Sequence, residues 1–77
     1  MRAYDQGGYF RVTMSADEVS EWKGGWPASG LRSTGKSATF DKNGDLVDTN
    51  IGEDEDGEAA LAILADMETY GRERLRR

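Results

Sequence analysis

Eight of the chain's fifteen acidic side chains fall between Asp41 and Glu58, in the stretch FDKNGDLVDTNIGEDEDGE, and only Lys42 opposes them. Carboxylates at this density can ligate a hard cation, act as acid–base pairs, or present a negative surface to a partner. The first is suggested by Asp41-Lys42-Asn43-Gly44-Asp45, which places side-chain oxygens at positions one, three and five as an EF-hand loop does. Position six, however, is Leu46 where the sharp turn needs glycine, and position twelve is Gly52 rather than a bidentate glutamate. Its flanks also read as strands, so no metal is expected there. The second use lacks its usual companions. The chain has no histidine and no cysteine, which removes the commonest general base near neutral pH and all thiol chemistry. No recognised catalytic spacing joins the remaining carboxylates, hydroxyls and amines, and neither an enzyme nor a cofactor is expected.

The third use fits the charge best. The acidic stretch carries a local charge of about −7 against about +2 for the other residues together. Such a cluster repels nucleic acid and attracts basic protein surfaces. Asp41, Asp45 and Asp48, with Glu53, Asp54, Glu55 and Asp56, are therefore candidate partner-binding residues. Arranged as one surface they would form a phosphate-like array, a nucleic-acid mimic. The plainer alternative is a solvated loop whose charges, with Glu58, stabilise the start of the following helix.

Positioning these residues falls to a single small domain of 77 residues, near the lower limit for a chain folding on one apolar core. The first eight residues end in Gln6-Gly7-Gly8 and read as a loose N-terminal arm. From Tyr9 to Met14 the residues alternate, with Phe10, Val12 and Met14 on one side and Tyr9, Arg11 and Thr13 on the other, as in a half-buried strand. Ser15 and Glu18 form a capping-box pattern, with Met14 and Val19 at the staple positions. A short helix is expected from Ala16 to about Lys23, ended by Gly24-Gly25. Val19 and Trp22 form its inward face. Trp26 to Leu31 is a turn-rich connector, and Arg32 to Lys36 reads as polar and exposed. Ser37–Asp41 and Asp45–Ile51 flank Asn43-Gly44, a strong hairpin signal. A helix from Glu58 to about Leu75 follows, with Ala60, Ile63, Leu64, Met67, Tyr70 and Gly71 on one stripe.

The expected fold is α+β in the order β-α-β-β-α: a three-stranded antiparallel sheet with two helices packed on one face. Its core would hold Phe10, Val12, Met14, Val19, Trp22, Trp26, Leu31, Phe40, Val47, Ile51, Leu61, Leu64 and Met67. Tyr9 and Arg11 then lie on an open sheet face, a plausible protein-binding surface. Trp26, at the head of the connector, is expected to be partly exposed and joins the candidate binding residues. Arg32 and Lys36 beside it could contact phosphate, though two cations are a weak footprint, and the RERLRR tail complements a helix end. No apolar run approaches the roughly 20 residues of a membrane span, and MRAYDQGGYF lacks the apolar segment of a secretory signal. A cytoplasmic location with no membrane partner is expected.

The runs WPASGL (Trp26 to Leu31) and FDKNGDLVD (Phe40 to Asp48) resemble orphan proteins of phages and mobile elements. Ser15 to Leu31, SADEVSEWKGGWPASGL, resembles a stretch of a small type I-F anti-CRISPR through Ser15, Trp22, Gly25, Pro27, Ser29, Gly30 and Leu31. The resemblance implies a class only: a non-enzymatic antagonist of host defence machinery, with no contact residues carried over. The leading expectation is thus a protein-binding inhibitor that blocks a basic, nucleic-acid-handling protein or nucleoprotein complex of the host through an acidic surface. The alternatives are an accessory or assembly interaction module working through the sheet face, and a weak nucleic-acid binder using Arg11, Arg32, Lys36 and the arginine tail. The global charge opposes direct binding of nucleic acid.

Overall fold

The computed structural model describes residues 1–22, 31–52 and 57–75. The elements run β1 (Arg2–Asp5), β2 (Tyr9–Met14), α1 (Ala16–Glu21), β3 (Lys36–Asp41), β4 (Leu46–Thr49) and α2 (Gly57–Arg74). They form an α+β fold with one four-stranded antiparallel sheet in the order β1-β2-β3-β4. The expected three-stranded sheet and β-α-β-β-α order are corrected to four strands and β-β-α-β-β-α.

The extra strand is the expected loose arm. Arg2 to Asp5 pair with Thr13 to Phe10 in a continuous ladder. Gly7-Gly8 is the two-residue loop of a hairpin rather than a linker. Gly7 takes a φ of 80°, which the first central position of a type II′ turn requires. The Gln6 N–H donates to the Tyr9 carbonyl at 2.8 Å, and the Gly7 N–H donates to the Asp5 carboxylate at 3.1 Å.

The phase of β2 is as read from the sequence. Phe10, Val12 and Met14 are buried, while Tyr9 and Arg11 are exposed and Thr13 is half-buried. Phe10 stands opposite Phe40 in the β2–β3 register, and the two rings stack with centroids 5.2 Å apart. Ser15 caps α1 through the full capping box: its hydroxyl accepts from the Glu18 N–H at 3.2 Å, and the Glu18 carboxylate accepts from the Ser15 N–H at 3.0 Å. The described helix stops at Glu21 with Trp22 as its C-cap; Gly24-Gly25, read as its stop signal, lies outside the described residues.

Helix α2 packs on β1, β2 and β3 through the buried Ile63, Met67 and Gly71. Val19 of α1 and Leu31 join the same core, so both helices serve one face of the sheet. The Trp22 indole donates to the Asp66 carboxylate at 2.8 Å, tying the end of α1 to α2. The Tyr70 hydroxyl donates to the Met1 carbonyl at 2.7 Å, and the Met1 amine pairs with Glu18, so β1 is held to both helices.

Three burial expectations change. Val47 and Leu61, read as core, are 54% and 71% exposed. On α2 Leu61 sits roughly 120° around the helix from the centre of the Ile63–Met67–Gly71 stripe, at 100° per residue. In β4 a bulge breaks the alternation: Thr39 pairs with Asp48 and Phe40 with Leu46, which leaves Val47 as the extra residue. Lys36, read as exposed, is 4% exposed, because it shares the inward side of β3 with Ala38 and Phe40. Its stem is buried beside Met14, its register partner, and its ammonium donates to the Thr34 hydroxyl at 3.0 Å.

Candidate protein-interaction surface

With both helices on one side, no described element covers the other face of the sheet. Its residues follow from register. Tyr4, Arg11, Thr39 and Asp48 form one row across all four strands. Arg2, Thr13 and Ser37 form a second, and Tyr9 pairs with Asp41 in a third. Tyr4 and Tyr9 are 45% and 49% exposed, and Arg2, Arg11 and Asp48 are exposed as well. Tyrosine, arginine and short hydroxyl side chains present rigid area and adaptable hydrogen bonds, the chemistry that protein-binding faces favour.

Charge on this face is segregated. Both arginines stand on β1 and β2, and both aspartates on β3 and β4. The balance within the face is neutral, as is that of the β3–β4 turn with Lys42 and Asp45, and the acidic excess of the sequence falls in Glu53 to Glu58.

That turn is built by the acids themselves. Gly44 carries a φ of 89°, and its N–H donates to the Asp41 carbonyl at 2.9 Å. One oxygen of the Asp41 carboxylate accepts from the backbone N–H groups of Asn43 at 2.8 Å and Asp45 at 3.0 Å. Asp41 is therefore first a turn cap, the Asx geometry that stabilises such loops. The loop joins two strands, where an EF-hand joins helices. Asp45 is exposed at the tip. Behind the turn lies the C-terminal half of α2: a Cβ on Gly44 would fall 2.9 Å from Glu68 Oε1 and 3.4 Å from Arg72 Cζ. The Glu68–Arg72 pair, 3.6 Å apart, so lies behind the turn.

Of the candidate residues, Tyr9, Arg11, Asp41 and Asp48 come together on one face, with Asp45 at its margin. Glu53, Asp54, Glu55, Asp56 and Trp26 lie outside the described residues. Arg2 and Tyr4 were missed with β1. The signal for them was present, because Gly-Gly between two short runs is itself a hairpin signature. A cavity of about 150 Å³ opens at the β1–β2 turn, lined by Asp5, Gly7, Gly8, Tyr9, Phe10, Lys42 and Leu75. Among the described residues no group of three or more acidic side chains is placed to hold a metal ion, and no helix is long and apolar enough to cross a membrane. No family model matches the sequence, and no curated protein or solved structure matches it either.

Proposed function

We propose that the protein is a non-enzymatic, protein-binding inhibitor that docks its acidic hairpin turn onto a basic surface of a nucleic-acid-handling complex and so competes with nucleic acid. In this reading, which follows the anti-CRISPR-like resemblance of Ser15 to Leu31, that complex belongs to host defence. The observation carrying the reading is the turn's construction. Asp41 caps the turn and Gly44 lies beside the Glu68 and Arg72 side chains, so Asp45 is presented on a turn held by its own hydrogen bonds. A preorganised charged tip loses little freedom on docking, which favours association. Glu53 to Asp56 follow eight residues on in the sequence and add four further acids.

Direct binding of nucleic acid is the weaker alternative. The basic residues of the open face share it with Asp41 and Asp48, and phosphate contacts need a face of one sign. The assembly-module reading has one observation in its favour, the pair of exposed tyrosines around Arg11.

The test is capture from a host lysate by the immobilised protein and by its Asp45→Asn, Asp54→Asn, Glu55→Gln, Asp56→Asn variant. Nucleic-acid-handling proteins should be retained by the first and lost from the second, with retention weakening as salt screens charges beyond about 8 Å. Equal retention by both would reject the acidic docking surface.

A further inference from the structure

We propose that the open sheet face is a self-association surface, occupied by a second copy of this chain packed face to face. The inference stands on the charge layout of the face and is independent of the identity of any target.

The face has a basic half, Arg2 and Arg11 on β1 and β2, and an acidic half, Asp41 and Asp48 on β3 and β4, with Tyr4 and Tyr9 exposed between and beside them. A uniformly basic partner would meet the arginines, and a nucleic acid strand stacked on the tyrosines would meet the aspartates. The occupant that answers both halves is itself divided, and this chain carries such a face.

Two-fold symmetry makes the fit specific, because a symmetric dimer places the same patch on both sides. A two-fold axis running across the strands would lay β2 on β2 and oppose arginine with arginine. An axis running along the strands, between β2 and β3, lays β1 over β4 and β2 over β3. Each basic half then covers an acidic half. Tyr4 comes over the partner's Asp48, Tyr9 over the partner's Asp41, and Arg11 over the partner's Thr39, one strand from the partner's Asp48. Phenol to carboxylate and guanidinium to carboxylate are both charge-assisted pairings. The strands of the two sheets then run nearly aligned, within about 30° as in β-sandwiches.

The footprint bounds the strength. Four strands of four to six residues span roughly 300 Å² in plane at about 4.8 Å between strands and 3.3 Å per residue. Side-chain relief raises the accessible area, yet the interface stays at or below the lower end of the ~1,200–2,000 Å² total of stable complexes. The expected dimer is accordingly weak, with a Kd of micromolar order or above. The along-strand axis also places both β3–β4 turns at the same end, so a dimer offers two acidic tips side by side.

Sedimentation equilibrium over a concentration series tests the inference, together with amide chemical-shift changes on dilution of the unaltered protein. Dimerisation is expected, with dilution shifts centred on Tyr4, Tyr9, Arg11, Thr39 and Asp48. Arg11→Asp and Asp48→Arg should each weaken association by roughly tenfold or more, and the double exchange should restore most of it. A monomer up to millimolar concentration, dilution shifts centred elsewhere, or a double exchange no better than the singles would overturn the proposal. The dilution shifts need no variant, so a substitution that disturbed the fold would leave the test intact. An unaltered protein that stays monomeric yet captures its target would sink this surface alone, and one that dimerises yet captures nothing would sink the acidic tip alone.

Discussion

Gly71 sets how closely α2 approaches the sheet. A Cβ there would fall 2.6 Å from Cδ2 and Cε2 of Phe10 and 2.8 Å from Cγ2 of Val12. Phe10 has little room to retreat, because its ring stacks on Phe40. Alanine is the better helix former by about 1 kcal/mol, whereas forcing a methyl into a packed core costs about 1–3 kcal/mol. Gly71→Ala should therefore lower the urea midpoint. A raised midpoint would mean the ring yields and helix propensity dominates. Two capping residues make further single-site predictions. Ser15→Ala should cost about 1 kcal/mol, because the Glu18 N–H loses its acceptor; an unchanged midpoint would place no energy in that cap. Asp41→Ala should cost a similar amount, about 1 kcal/mol, since two turn amides lose their acceptor. Its effect on binding would thus mix charge with turn geometry, which is why the charge-neutralised variant leaves Asp41 in place. These roles differ in how far the sequence displays them. Ser15 and Glu18 are separated by the spacing a capping box needs, so their pairing is local and legible. Gly71 looks like a helix defect until its neighbours Phe10 and Val12, some sixty residues away, are known.

At the level of elements, local patterns were sufficient wherever a strand or helix follows a clean period. The alternation of β2 fixes which side of it faces inward, and the three- and four-residue spacing of α2 identifies Ile63, Met67 and Gly71. Four residues of β1 contain no such period. The sign of Arg2-Ala3-Tyr4-Asp5 as a strand lies outside those residues, in the Gly7-Gly8 turn that pairs it with β2. The bulge at Val47 is similar, because it depends on the register with Thr39 and Phe40 and turns a strand hydrophobe toward solvent. Lys36 reads as polar and so as surface, yet its long stem is apolar enough to line the inward side of β3. The candidate site was half legible for the same reason: Tyr9, Arg11 and the hairpin aspartates were visible, and their alignment with Tyr4 was not. The contrast is measurable on α2. Ile63→Ala should cost about 2–5 kcal/mol through transfer and cavity terms, and Leu61→Ala less than about 0.5 kcal/mol because it is already solvated. Comparable thermal shifts for the two would contradict the face assigned to the helix.

For the whole molecule, the proposed function rests on where the charges end up. The helices bury one side of the sheet and leave a face divided between arginines and aspartates. Beyond its acidic margin stands the Asp41-capped turn carrying Lys42 and Asp45, and the net charge of −5 owes to the stretch from Asp41 to Glu58. Long-range attraction to a basic surface, with short-range fit supplied by a preorganised tip, is a physical route to occupying a nucleic-acid channel without catalysis. The most direct measurement is competition on the captured complex. The immobilised protein, loaded with the nucleic-acid-handling proteins it retains from host lysate, is titrated with single-stranded and duplex nucleic acid at constant ionic strength. Progressive release of those proteins into solution, with no nucleic acid bound to the protein alone, is the expected result. Retention of the complex together with bound nucleic acid, or binding of nucleic acid by the protein itself, would contradict competition through the acidic tip.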